Sequence, residues 1–197
     1  MLYFVRHGAT DWSEYKNEHG EKDPKFQGRT EVLLNQKGKE QARALAEQLK
    51  DIKFDRVICS PLGRAKQTCY LVYKGDVRVE IDERVIERDF GEFEGKTCHE
   101  FDFNSFCNRN LQQKYQRAET IQDVEKRVFS LLDELKKKPN QNVLIVSHGG
   151  VGCVLMSYFK GIPADGNYLS YILPHGQPLV LDFKELIKQK ENDGRTM

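Results

Sequence analysis

The chain has 197 residues, with 31 Lys+Arg against 30 Asp+Glu and a formal net charge of +1. With 39% hydrophobic and 31% charged residues, it reads as one soluble domain over 1–197, able to bury roughly 70% of its unfolded-chain surface. The balanced charge excludes bulk attraction to nucleic acid or to an anionic membrane, so charge must act through local clusters.

The first apolar run, Leu2 to Val5, reads as a buried strand and leads straight into Arg6-His7-Gly8. Ser13 to Lys25 is a polar loop carrying Gly20 and Pro24. A helix follows Asn35, with Ala42, Leu45, Ala46 and Leu49 at helical spacing. Val57 to Cys59 is the next buried strand and runs into Ser60-Pro61-Leu62-Gly63-Arg64. Val77 to Ile81 alternates like a strand near an edge, and a carboxylate-rich turn from Glu83 to Gly91 follows it. Cys98 to Arg117 mixes Phe101, Phe103, Phe106, Leu111 and Tyr115 with polar residues, as helical insertion material would.

Thr120 to Asp123 resembles a capping box opening a helix with Val124, Val128, Leu131, Leu132 and Leu135 on one face. Lys136 to Lys138 then suits the helix's carboxyl end, and Pro139 stops it. Val143 to Val146 is a third buried strand, ending in Ser147-His148-Gly149-Gly150. Leu179 to Phe183 is the last strand, followed by a polar tail from Lys184 to Met197 whose end is expected to fray. Strands alternating with helices give an α/β fold with a mostly parallel sheet covered on both faces. Segments of about 13–26 and 97–118 are lid-like.

Five cysteines without a CxxC pair, no basic leader and no run of ~18 apolar residues lead to the expectation of a reduced, cytoplasmic protein. The Cys and His spacings match no zinc motif, so no metal is expected. Gly150-Val151-Gly152 imitates the start of a dinucleotide fingerprint, but Leu155 stands at the third glycine position.

Ligands of such sheets sit beyond the carboxyl ends of the strands. Three strand ends there deliver Arg6, His7, Arg64 and His148. Guanidinium forks can grip a phosphoryl group bidentately, which suits Arg6 and Arg64. A neutral imidazole between these cations can attack phosphorus, and a second, protonated histidine can stabilise the transition state. Each residue alone has a duller reading, as a turn histidine, a helix-surface arginine or a solvated carboxylate. Together, in one order at strand ends, they point to phosphoryl chemistry.

The same residues resemble the histidine phosphatase superfamily, in the branch of cofactor-dependent phosphoglycerate mutases and small phosphatases. The resemblance runs through Leu2 to Thr10, Phe26 to Arg29, Gly38 to Ala42, Ser60 to Thr68, Glu87 to Gly95 and Val146 to Gly150. It implies a phosphoglycerate mutase-like, three-layer α/β/α fold with a helical lid insertion. It further implies His7 as nucleophile and Glu87, protonated at the start, as proton donor, with Arg6, Arg64 and His148 forming the phosphate pocket. Thr10, Ser13 and Gly149 are the further substrate-binding candidates. Ser13 departs from the family, which usually has Asn after the motif's Trp, here Trp12.

Phe90-Gly91-Glu92-Phe93-Glu94-Gly95 is closer to phosphatase-type members than to the mutases' Tyr-Gly-x-Leu-x-Gly. Between Lys96 and Glu119 the cations are Arg109, Lys114 and Arg117, without the mutases' Arg-Arg pair. A metal-independent phosphatase acting on a small phosphorylated metabolite is therefore expected, with inorganic phosphate as product ligand. No cofactor is expected unless the chain is a mutase, which would need 2,3-bisphosphoglycerate. Neither nucleic acid nor membrane is expected as partner, and a homodimer is left open. Glu14, Tyr15, Lys16 and His19 are candidate substrate contacts in the 13–25 loop, and His175 is a lower-ranked rim residue.

Overall fold

The computed structural model describes residues 1–111 and 117–193. Strands β1 (Leu2–Arg6), β2 (Arg56–Cys59), β3 (Val79–Ile81), β4 (Val143–Ser147) and β5 (Pro178–Leu181) form one sheet, in the order β3-β2-β4-β1-β5. β1 to β4 run parallel, and β5 pairs antiparallel with β1. β4 is buried at every position and β1 at Leu2, Phe4 and Val5, which is why both read as apolar runs.

The helices are α1 (Gln36–Leu49), α2 (Gly63–Val72), α3 (Phe103–Phe106), α4 (Ile121–Lys136), α5 (Gly149–Lys160) and α6 (Phe183–Asp193). Because successive strand side chains point to opposite faces, the sheet feeds two cores. Val5, Val57, Leu144 and Val146 pack on α1 and α2 through Ala42, Leu45, Ala65 and Cys69. Leu2, Phe4, Ile58 and Ile145 pack on α4, α5 and α6 through Val128, Leu131, Leu155 and Leu186. The result is the expected three-layer α/β/α arrangement. Among the described residues, no helix is long and apolar enough to cross a membrane.

Local chemistry sets the helix ends. The Asn35 side chain accepts from the Gly38 amide at 2.9 Å, and Thr120 and Asp123 form the reciprocal capping box that the sequence suggests. Gly8 and Gly38 let α1 approach the loop after β1, since a Cβ on Gly8 would lie 2.3 Å from the Gly38 carbonyl oxygen. This contact holds α1 against the turn that carries His7.

Three expectations need correction. The strand expected over Val77 to Ile81 is only Val79–Ile81, an edge with one neighbour and a half-exposed Ile81. The last strand is Pro178–Leu181 rather than Leu179 to Phe183: Phe183 instead opens α6, which buried Phe183 and Leu186 hold in the core, and residues 194–197 at the tail's end lie outside the described residues. The 97–118 insertion is mostly irregular, with the four-residue α3 its only helix among the described residues. Its phenylalanines form no helical stripe but stack into a ring cluster, with Phe93 on Phe101 at 4.2 Å and Phe26 on Phe103 at 4.3 Å. Lys114 and Tyr115 lie outside the described residues.

The 13–25 loop is a small hairpin. Lys16 bridges Lys22, the Asn17 carboxamide oxygen caps the amides of His19 and Glu21, and Gly20 takes a φ of +78°. A further antiparallel bridge, Lys25 to Thr97, fastens it to the insertion.

Candidate active site

β1, β4 and β2 are neighbours, and their ladders continue past the strand ends. The His7 amide donates to the Ser147 carbonyl at 2.8 Å, and the Ser60 amide to the Val146 carbonyl at 3.0 Å. His7, His148 and Ser60 therefore share one edge of the sheet. His7 and His148 ring centroids are 5.2 Å apart.

His7 Nδ1 lies 2.8 Å from the Gly8 carbonyl oxygen, which can only accept, so Nδ1 carries the hydrogen and Nε2 the lone pair. Burial, then the nearby Arg64 and Arg6 charges, hold the His7 pKa well below its ordinary 6.5. The imidazole is thus neutral with its nucleophilic nitrogen facing the pocket cations.

Arg64 is fully buried, and its Nε donates to His7 Nε2 at 3.2 Å. Its Nη1 donates to the Thr30 carbonyl, and its Nη2 to those of Gln27 and Gly28. The expectation of a two-pronged Arg64 fork is corrected here, because both hydrogens of Nη2 are committed to backbone. What Arg64 turns toward His7 is one N–H and a positive charge. Arg6 is freer: Nη1 donates to the Leu173 carbonyl at 2.8 Å, while buried Nε has no partner among the described residues. Gly149 passes close to it, since a Cβ there would sit 3.3 Å from the guanidinium carbon.

His148 is buried, with Nε2 2.6 Å from the Ser60 hydroxyl and Nδ1 without a partner among the described residues. Burial, followed by the Arg64, His7 and Arg6 charges, lowers its pKa well below 6.5. The protonated His148 expected from sequence is therefore corrected to a neutral one, which still carries one N–H.

Glu87 is 6% exposed and accepts from the Arg88 amide at 2.8 Å and the Gly150 amide at 3.1 Å. Gly150 is required for that approach, because a Cβ would lie 2.6 Å from the carboxylate. The Glu87 turn is fixed from two sides. The Ser147 hydroxyl donates to the Val85 carbonyl at 2.7 Å, and Arg127 donates to those of Arg84 and Ile86.

Thr10 and Ser13 lock each other. The Ser13 hydroxyl accepts from the Thr10 amide and donates to its carbonyl, while the Thr10 hydroxyl accepts from the Ser13 amide. Ser13 lines the cavity, whereas Thr10 reaches it only through Gln27. Glu14, Lys16 and His19 do not line it: Glu14 pairs with Lys22 and Lys37, Lys16 belongs to the hairpin, and His19 stands beside Glu18. Tyr15 lies under Lys25 at 4.1 Å, and the segment meets the cavity instead through Pro24, Lys25 and Phe26.

Ser60, Thr68 and His175 hold the site together, although sequence reasoning gave them no such role. Thr68 accepts from the Gly8 amide and donates to the Arg64 carbonyl, joining the two motifs. His175 Nδ1 donates to the His7 carbonyl at 2.5 Å, with its ring 5.4 Å from that of His7. Burial, then Arg6, lowers its pKa to about 4. A strand-end serine was the available signal for Ser60. His175 sits in a Pro-His-Gly turn that looks like any solvated loop.

Above this floor opens a cavity of about 910 Å³, mouth included. Its walls are chiefly apolar, with Phe26, Phe90, Phe103, Val154, Tyr168 and Ile172 prominent.

The family model described as the histidine phosphatase superfamily (branch 1) matches residues 2–185. The chain is 34% identical over 160 residues to the uncharacterized phosphatase PhoE of Bacillus subtilis (strain 168), covering 80% of this chain and 76% of that protein. It is 30% identical over 173 residues to the "Probable phosphoglycerate mutase GpmB" of Cronobacter sakazakii, covering 83% and 76%. The crystal structure of the alpha-ribazole phosphatase from Shigella flexneri superposes with a TM-score of 0.73 at 29% identity, covering 90% of this chain and 87% of that one.

Proposed function

The chain belongs to the histidine phosphatase superfamily (branch 1) and is a phosphatase-type enzyme, and from that premise we propose that it hydrolyses small-molecule phosphate monoesters through a phosphohistidine on His7, without a metal. In the first step His7 Nε2 attacks phosphorus as the ester P–O bond breaks, and Glu87 gives its proton to the departing alkoxide. In the second, Glu87 takes a proton from water, which attacks phosphorus. Phosphate leaves, and His7 is neutral again.

The observation that carries this reading is a pair of buried polar atoms beside His7, Arg6 Nε and His148 Nδ1, that lack partners among the described residues. Buried polar atoms are ordinarily satisfied, and a phosphoryl group supplies the acceptor oxygens they lack. The hydrogen-bond pattern of His7, with the hydrogen on Nδ1 and the lone pair on Nε2, where it accepts from Arg64, is the tautomer such an attack requires.

The walls support esters whose organic part is apolar. Besides Arg6, the cations lining the cavity among the described residues are Lys25 and Arg88. Arg88 donates to the carbonyls of Glu119 and Phe106 and covers the Phe106 ring, while Arg109 is held by Glu125. A substrate carboxylate thus finds few donors there.

Purified protein in EDTA should hydrolyse aryl phosphates and lose all turnover on His7→Ala. Rapid alkaline quench of wild type should trap phosphorylated His7, and acidifying the trapped protein should release the phosphate. Turnover that requires added divalent metal, or no phosphoenzyme under rapid quench, would contradict the mechanism. The relative named as a mutase keeps a second reading open, phosphoryl transfer between substrate hydroxyls. It demands activity dependent on 2,3-bisphosphoglycerate with negligible hydrolysis.

A further inference from the structure

A second cluster of reactive side chains lies where the two lid-like segments meet. Asp23, from the 13–25 hairpin, and Cys98 and His99, from the insertion, bring a carboxylate oxygen, a thiol and an imidazole nitrogen within 4.8 Å of one another. No spacing motif announces this set, because the donors are far apart in sequence. They are joined by a short backbone ladder: the Lys25–Thr97 bridge, the Phe26 amide on the Lys96 carbonyl, and the Gly95 amide on the Phe26 carbonyl, both at 2.8 Å. The Asp23 amide is itself held by the Tyr15 carbonyl at 2.9 Å.

An independent observation concerns Asp23 itself. Its side chain is 12% exposed, and Oδ1 is shielded from solvent with no hydrogen-bond donor among the described residues. The imidazole Nε2 of His99 stands 3.8 Å away, beyond hydrogen-bond reach. A buried carboxylate oxygen without a donor is costly, and a cation between it and the imidazole removes that cost.

The donor types select the cation. A thiolate and an imidazole beside one carboxylate oxygen suit zinc, and they are poor ligands for magnesium or calcium, which take oxygen. Tetrahedral zinc with bonds of about 2.0–2.3 Å holds its ligands roughly 3.3–3.8 Å apart. The exposed Cys98 and His99 side chains can close the remaining distance by rotation.

We propose that Asp23, Cys98 and His99 bind a zinc ion, with water as fourth ligand, and that this ion fastens the hairpin to the insertion at the pocket rim. On binding, the Cys98 thiol releases its proton to solvent and the sulfur bonds to the metal. The ion takes no part in phosphoryl transfer. Its effect passes through Pro24 and Lys25, which adjoin Asp23 and line the cavity.

The test is titration of untagged, EDTA-stripped, full-length protein with Co²⁺, followed by back-titration with Zn²⁺. Expected are one equivalent of bound Co²⁺, the intense bands of a tetrahedral site and a sulfur-to-cobalt charge-transfer band. Cys98→Ser should abolish that band, and Asp23→Asn and His99→Gln should each weaken binding at least tenfold. All three variants should keep the metal-free kcat and Tm. Saturating Zn²⁺ should raise the Tm of wild type but not of Cys98→Ser. A spectrum unchanged in Cys98→Ser, or metal displaced by inorganic phosphate, would assign the ion to the active-site histidines and overturn the proposal. Absence of saturable binding would overturn it equally.

Discussion

The Nε–H of Arg64 points at the Nε2 lone pair of His7 from 3.2 Å, so the resting nucleophile is capped by the cation that later faces its substrate. The other guanidinium nitrogens cannot follow a ligand far, because the carbonyls of residues 27–30 hold them. Catalysis then requires Arg64 to exchange one acceptor, the imidazole, for a phosphoryl oxygen.

Arg64→Lys tests this. An ammonium cannot bond His7 and three carbonyls in the same fixed geometry. We expect kcat to fall by about 10²-fold or more, the loss typical for a donor to developing charge. Amide exchange over residues 27–30 should accelerate in the same variant. A kcat within threefold of wild type would show that Arg64 acts by charge alone.

Glu87→Gln keeps the side chain's shape and removes its proton. Alkyl phosphates, whose leaving alkoxides need that proton, should lose far more kcat than aryl phosphates. Comparing an alkyl with a nitrophenyl ester measures the difference. Equal losses would remove Glu87 from the general-acid role.

Three histidines, His7 and His148 buried and His175 half-buried, give the fold a pH dependence. His7, His148 and His175 are held neutral in the native state, the last down to about pH 4, whereas in the unfolded chain each binds a proton below about pH 6.5. The unfolded state thus takes up more protons as pH falls. Their contribution is full above about pH 6.5 and declines as pH drops below it. In phosphate-free buffer, Tm should fall from about pH 7.5 to about pH 5.5, and His175→Asn should flatten that fall. The acid limb of kcat/KM should lie well below 6.5, since His7 stays neutral there.

Tyr168 and Arg109 both bond the buried Glu125 carboxylate, tying the cavity wall and the insertion to α4. Tyr168→Phe removes one donor from that carboxylate and should cost about 1–3 kcal/mol by denaturant melts. Restoring stability through Tyr168→Phe with Glu125→Gln would identify the lost bond as the cause.

The catalytic floor was legible because three buried strands end abruptly in charged turns, so Arg6, His7 and His148 could be placed before any contact was known. Arg64's grip was not, since carbonyl acceptors leave no mark in a sequence. The contact of His175 with His7 spans 168 residues and depends on how the final loop folds back. The insertion was misjudged for another reason: phenylalanines that stack on one another imitate the spacing of a helical face. α6 was missed because two apolar side chains are a faint signal in a polar tail, yet enough to dock one turn on a sheet.

The bonds from Arg64 to Gln27, Gly28 and Thr30 all end on carbonyl oxygens, groups that every amino acid carries. The grip of Arg64 therefore constrains the path of this loop and not the identity of its side chains. Gly28 is the exception, since a Cβ there would meet the Arg88 carbonyl oxygen at 2.6 Å. Descendants of this chain can thus rewrite the loop's letters, and with them the rim that meets the substrate, without disturbing the cation beneath. Insertions or deletions at the same positions would move the carbonyls and strike the chemistry itself, so specificity here can drift by substitution and not by change of length.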